Sequence, residues 1–241
     1  MSGHSKWNNI KRKKEKTDGQ KAKLFTKVGR EIAVAVKEGG SPDPNANSRL
    51  KDAIAKAKAN NVPNDNIERA IKKFKDSDVV YEEITYEGYG PAGVAVIVEA
   101  ATDSRNRTAG DVRHYFDKCG GNLGVQGCVG FMFTEMGLIT IDDEDEEVDE
   151  EALMEAALEA GAADFSGEDN VYEITTEVDD LEAVSEALRA AGYKITTAEL
   201  TKIPSSYVTI EDEEAIANME KMLDYFDDCE DITAVYHNWE N

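Results

Sequence analysis

A chain of 241 residues with 41% hydrophobic content is long enough for two or three apolar cores. Its formal charge of −23 would argue against a polyanionic partner. However, residues 1–75 hold 19 of the 27 Lys and Arg and only 8 of the 50 Asp and Glu, so a head at +11 precedes a body at −34. No apolar run follows the basic start, and the longest apolar stretch, Val94 to Val98, stops at Glu99, which excludes a secretory signal and a bilayer-spanning helix.

Residues 1–17 contain two large apolar side chains, Trp7 and Ile10, and no period; they read as a basic arm. From Asp18, Leu24, Phe25, Val28, Ile32, Ala35 and Val36 recur on one helical face, with Lys23, Lys27, Arg30 and Lys37 opposite, until Gly39-Gly40 stops the helix. A second helix is carried by Leu50, Ile54 and Ala57 and closes at Asn60-Asn61. A third follows Pro63 and Asn64, with Ile67, Ile71 and Phe74 inward and Arg69, Lys72 and Lys73 outward. Three amphipathic helices with short links make a small bundle, here with basic outer faces.

At Tyr81 the period changes to two. Residues 81–87 alternate, Gly88-Tyr89-Gly90-Pro91 turns, and residues 94–101 read as a buried strand. Asp103 then caps a helix with Ala109, Val112, Phe116 and Cys119 inward, ended by Gly120-Gly121, and a glycine-rich loop enters a strand at residues 131–133. The next elements are a strand at 138–141, a helix at 150–160, strands near Phe165 and at 171–175, a helix with Leu181, Val184 and Leu188 inward, and a strand at 194–200. That order, βαββαβ, is ferredoxin-like. After Pro204 come one strand (207–210), one helix (Ile216, Met219, Leu223, Phe226) and one strand (233–237), too few to fold alone. They are expected to complete the sheet begun at Tyr81. The class is therefore α+β: a basic arm and three-helix bundle over 1–78, an α+β domain over 79–134 plus 205–241, and an inserted ferredoxin-like domain over 135–204.

Charge confined to one end points to a nucleic-acid or membrane surface met by that end only. The arm carries Lys6, Lys11, Arg12, Lys13, Lys14 and Lys16, dense enough to release counterions from a phosphate backbone, and Trp7 can stack on an exposed base. A membrane would need an apolar face turned to lipid, and the bundle's apolar faces are needed for each other. Within Thr102-Asp103-Ser104-Arg105-Asn106-Arg107-Thr108, two arginines oppose the helix dipole, and Arg113 follows. Two readings stand: converging guanidiniums that bind an anion at a helix N-terminus, or Arg105, on the face of Val112 and Phe116, pairing with a buried acid while Arg107 projects outward.

The loop GGNLGVQGCVG lacks a Gly-Lys-Ser/Thr ending and enters a strand where a phosphate loop enters a helix, so it reads as a turn. Nine of the ten residues from Asp142 to Glu151 are acidic, but Glu147 stands where a calcium loop needs Gly. Cys119, Cys128, Cys229 and His114 match no zinc spacing, and the odd, scattered cysteines fit free thiols in a reducing, cytoplasmic compartment. No cofactor, metal or catalytic constellation is expected, and the chain reads as a non-enzyme.

The blocks GHSKW, KLFTKVGREI, GYGPAGVA, TDSRNRTAGDVR and GGNLGVQGCVGFMF span most of residues 1–134 and resemble the YebC/PmpR family of bacterial regulatory proteins. The resemblance implies a helical bundle, an α+β domain and a ferredoxin-like insertion, in a cytoplasmic DNA-binding transcriptional regulator. Some members, including a mitochondrial relative that activates translation, are linked to the ribosome. The expected contacts are thus His4, Trp7 and the arm's cations, the bundle's outward Lys and Arg, and Arg105, Arg107 and Arg113. DNA is the leading ligand and ribosomal RNA the alternative, with the acidic domains facing transcription or ribosomal proteins.

Overall fold

The computed structural model describes residues 18–59, 62–75, 79–143, 148–168 and 170–240. The arm, with His4, Lys6, Trp7, Lys11, Arg12, Lys13, Lys14 and Lys16, lies outside the described residues. The chain forms two compact units: one is Phe133–Ser205, and the other joins the described residues up to Met132 with those from Ser206 onward.

The second of these starts with helices α1 (Asp18–Glu38), α2 (Ser48–Ala59) and α3 (Asn64–Lys75). They close around Val28, Ile32, Ala35, Leu50, Ala57 and Ile67, the positions their periodicity picks out. Asn47 joins the first two helices. Its buried side chain donates to Ala35 O and Ser41 O, both at 2.8 Å, and accepts from Leu50 N at 3.0 Å, so it caps α2 while satisfying one carbonyl in the last turn of α1 and one in the loop after it.

Strand β1 (Glu82–Tyr89) pairs antiparallel with β2 (Ala95–Thr102); α4 (Arg105–Lys118) and the short β3 (Asn122–Leu123) follow. The expected turn at Gly88-Tyr89 is instead the end of β1, paired with β3 on its other edge. Glycine permits this, because a Cβ on Gly88 would lie 2.6 Å from the Asn122 carbonyl oxygen. Ser104, not Asp103, is the N-cap residue of α4.

The expected strand at residues 131–133 is a correction. Gly130–Met132 is a single 3-10 turn that leaves Phe131 78% exposed. β4 then runs unbroken through Phe133–Asp142, absorbing the short strand expected at 138–141. In this unit it is followed by α5 (Glu150–Glu159), β5 (Asp164–Glu168), β6 (Val171–Thr176), α6 (Leu181–Ala190) and β7 (Thr197–Pro204). The sheet order β5-β6-β4-β7, with every neighbouring pair antiparallel, is the ferredoxin-like arrangement. Leu153 and Ala157 of α5 and Val184 and Leu188 of α6 cover Ile139, Ile141 and Ile174 of the sheet.

The chain returns through α7 (Glu213–Asp228) and β8 (Ile232–His237). β8 pairs with β2, giving the order β3-β1-β2-β8, so residues on either side of the ferredoxin-like unit share one sheet. Val96, Val98, Val112, Phe116, Met219, Met222 and Phe226 form its core. The strand expected at 207–210 is reduced to an isolated bridge between Val208 and Trp239.

Candidate nucleic-acid interface

Periodicity says which side of α1 is apolar but not what meets its basic side. In the structure, that side lies on the C-terminal end of α7. Lys23 Nζ pairs with Asp228 at 2.7 Å. Lys27 is buried and donates to Phe226 O at 3.1 Å, where the last carbonyls of α7 carry its negative dipole end. Arg30 pairs with Asp231 and with Glu230 at 3.4 Å, donates to Ala101 O at 3.3 Å, and lies 5.4 Å from the centre of the Tyr81 ring. The outward placement expected for Lys23, Lys27 and Arg30 is thus corrected: all three have partners within the chain. Lys37, beyond this seam, is exposed.

Asp231 is the centre of the seam and only 4% exposed. Besides Arg30, it accepts from Thr108 Oγ1 at 2.7 Å, from Arg107 Nη2 at 2.8 and 3.1 Å, and from Thr102 Oγ1 at 3.3 Å. Thr102 Oγ1 also accepts from Ser104 N at 2.9 Å, which fixes the turn leading into α4. Burial pushes the Asp231 carboxyl up. The Thr108 hydroxyl and the two guanidiniums outweigh that and hold it below the usual carboxylate value.

The inward face expected for Arg105 is corrected, whereas Arg107 projects outward as expected and still reaches the buried acid. Both arginines are exposed, and Arg107 also pairs with Asp103 at 2.9 Å. Side chains on a helix lean toward its N-terminus, so Arg107 folds back over the first turn to Asp103, four residues earlier, and to Asp231 beyond it. Arg105 stands in the first turn, ahead of the buried Val112 and Phe116 that its wheel position shares. Arg107→Ala is therefore expected to lower the thermal transition, since it removes one of two cations from a buried carboxylate, whereas Arg105→Ala leaves it within about 0.5 kcal/mol of wild type. Calorimetry of the two variants tests the assignment, and equal melting temperatures would refute it.

Several of the other expected contacts face solvent. Lys72 and Lys73 are exposed on α3 together with Lys75, and Lys73 Nζ lies 5.1 Å from the Phe74 ring centre. Arg69 is exposed too, but its guanidinium is bonded to Asp65 O at 3.1 Å and to the Asn66 side chain of its own helix. On α4, Arg105 and Arg113 face solvent.

Two further features escaped the sequence reading: Asp231 itself, and Glu87 beneath the glycine-rich loop. Glu87 is 7% exposed; Oε1 accepts from Gly127 N at 2.8 Å, and Oε2 accepts from Val129 N at 2.9 Å and Gly130 N at 2.6 Å. The loop turns onto this carboxylate through Gly127, whose φ of 86° suits glycine. Burial raises the Glu87 carboxyl, and the three backbone donors more than offset this, leaving it below the ordinary value. The loop so held leaves Val125 and Phe131 exposed to solvent at 77% and 78%. Among the described residues no group of His, Cys, Asp and Glu is placed to hold a metal ion, and no helix is long and apolar enough to cross a membrane.

Comparison with known proteins matches the TACO1/YebC protein N-terminal domain over residues 5–77 and the TACO1/YebC second and third domain over residues 81–239. A protein of Acetivibrio thermocellus named "Probable transcriptional regulatory protein" is 56% identical over 241 residues, covering 99% of each chain. One of the same name from Ruminiclostridium cellulolyticum is 56% identical over 242 residues, covering 100% of this chain and 97% of its own. The crystal structure of a conserved hypothetical protein from Aquifex aeolicus, at 45% identity, superposes with a TM-score of 0.81 over 93% of this chain and 92% of that one.

Proposed function

The chain belongs to the TACO1/YebC family, and on that basis we propose that it is a non-enzymatic, cytoplasmic nucleic-acid-binding regulator, in the transcriptional role its relatives' names carry. The observation that carries the reading is the segregation of charge, +11 over residues 1–75 against −34 beyond. The arm and the exposed lysines of α3 hold the phosphate backbone, Arg105 and Arg113 extend the contact, and the acidic remainder faces a protein partner. If arm and bundle neutralise about six phosphates, log K for a duplex falls with log salt at a slope near −5. The arm has six of the head's cations, so the chain lacking residues 1–17 binds more weakly and with a shallower slope. Equal affinity and slope with and without the arm would refute this assignment.

The alternative target is ribosomal RNA, which needs phosphate contacts and no promoter sequence. The outer face of α3 offers lysines, which hold phosphates as point charges, and its one arginine is bonded to its own helix. Base-edge readout uses Arg or Lys on guanine and Asn or Gln on adenine. Phosphate contacts position a protein without reading sequence. Crosslinking in cells followed by sequencing of both DNA and RNA separates the two. Discrete promoter peaks without ribosomal RNA establish the transcriptional role; ribosomal RNA alone establishes a translational one.

A further inference from the structure

We infer that the Lys23–Lys27–Arg30 stripe of α1 is a second phosphate-binding surface, occupied at rest by the C-terminal end of α7 and the residues after it acting as an internal phosphate mimic. The inference rests on the nucleic-acid reading above and adds a site that the arm and α3 do not include. Lys23, Lys27 and Arg30 follow at steps of four and three residues, so they share one helical face over about 10 Å. Along one strand of a duplex that length corresponds to about three phosphates.

The groups opposite them are oxygen acceptors, as a phosphate backbone would also supply. Asp228 meets Lys23, the Phe226 carbonyl at the negative end of α7 meets Lys27, and Asp231 with Glu230 meets Arg30. Acceptor oxygens thus lie along the whole stripe, carboxylates at both ends and a backbone carbonyl between them. The apolar core of the bundle, around Ile32 and Leu50, and that of the sheet, around Phe116 and Phe226, are separate clusters, with these ionic contacts running between them. Contacts between domains of one chain permit relative motion unless they are large and hydrophobic. The Lys23–Asp228 end is already open to solvent, with side chains 42% and 63% exposed, so a polyanion can displace Asp228 first and then reach Lys27 and Arg30.

The occluded stripe also accounts for how a head at +11 coexists with a body at −34. Acids beyond residue 75 neutralise part of the head until a stronger polyanion competes for it. Binding then exchanges carboxylates for phosphates on the same cations. The released acids turn toward solvent or toward a basic protein partner, which links occupancy of the stripe to exposure of the acidic segment.

The test compares the full-length chain with a variant carrying Asp228→Asn and Glu230→Gln, both exposed acids at the seam. A charge-matched control carries Glu213→Gln and Glu214→Gln, exposed at the far end of α7. Binding of a short labelled duplex is measured across a salt series. The seam variant is expected to bind about tenfold more tightly than the control at low salt, with a slope steeper by about one to three units as further phosphates are engaged. Adding Lys23→Gln to the seam variant reverses part of the gain. Identical curves for seam variant and control, with wild type binding normally, overturn the second surface and leave the proposed function standing. A loss of affinity in the seam variant, or a gain indifferent to Lys23→Gln, overturns it equally. Failure of wild type and all variants to bind any probe, duplex DNA or structured RNA, defeats the nucleic-acid reading itself.

Discussion

Asp231→Ala is expected to destabilise the larger unit by about 3–5 kcal/mol, the cost of removing one partner from a buried ion pair. The carboxylate is the common acceptor for Arg30 of α1, Arg107 and Thr108 of α4 and Thr102 of β2, so its loss leaves two guanidiniums and two buried hydroxyls short of a partner at once. Asp231→Asn keeps the shape and one acceptor oxygen but removes the charge both arginines share. It is expected to cost less than alanine and still more than any exposed acid in the chain. The pH dependence follows from the direction of the shift. The folded carboxyl titrates below its ordinary value, near 3.9 in an unfolded chain, so its stabilisation is complete above that value and is lost as pH falls through the lower, folded one. Chemical denaturation at neutral pH and between about pH 4 and pH 2 checks both statements. A variant as stable as wild type at neutral pH, or a difference that grows on acidification, would contradict them.

The seam centred on Asp231 also marks where sequence reasoning stops. The bundle was legible because its apolar spacing repeats over helices of 21, 12 and 12 residues, long enough for the period to stand out. The ferredoxin-like order was legible because both helices end at a turn residue, Gly161 and Gly192, each at positive φ. The basic face of α1 was not, since a solvated face and one docked on acids have the same residues. Asp231 carries no local signal either: it follows Asp227, Asp228 and Glu230 in a chain rich in carboxylates, and only the returning strand β8 sets it beside Thr102. The outward placement of Arg105 has a different cause. A helical wheel assigns directions as though the core ran the full length of the helix, whereas the first turn of α4 sits where a capping network decides which side chain turns inward.

Replacing Glu87 by Ala is expected to cost about 3 kcal/mol, because hydrogen bonds to a charged acceptor contribute about 1.5–3 kcal/mol each and three are lost, partly offset by rehydration of the loop. Glu87→Gln discriminates between packing and charge. Both carboxylate oxygens accept, Oε1 from Gly127 and Oε2 from Val129 and Gly130. An amide has one acceptor oxygen, so in either orientation its NH2 group confronts at least one backbone N–H. Gln should therefore recover little of what Ala loses, and if it restored wild-type stability the carboxylate would be no more than a spacer. Because the Glu87 carboxyl is held below its ordinary value, its contribution is present above about pH 4.3 and fades as pH falls through the folded value. The local consequence is sharper than the global one. Released from Glu87, the amides of Gly127, Val129 and Gly130 exchange with solvent, so hydrogen exchange in the variant should rise at these three amides before it rises in β1 or β2. Unchanged protection there would mean that the loop is held by its own turns, such as Met132 N to Val129 O at 2.9 Å, and not by the buried carboxylate.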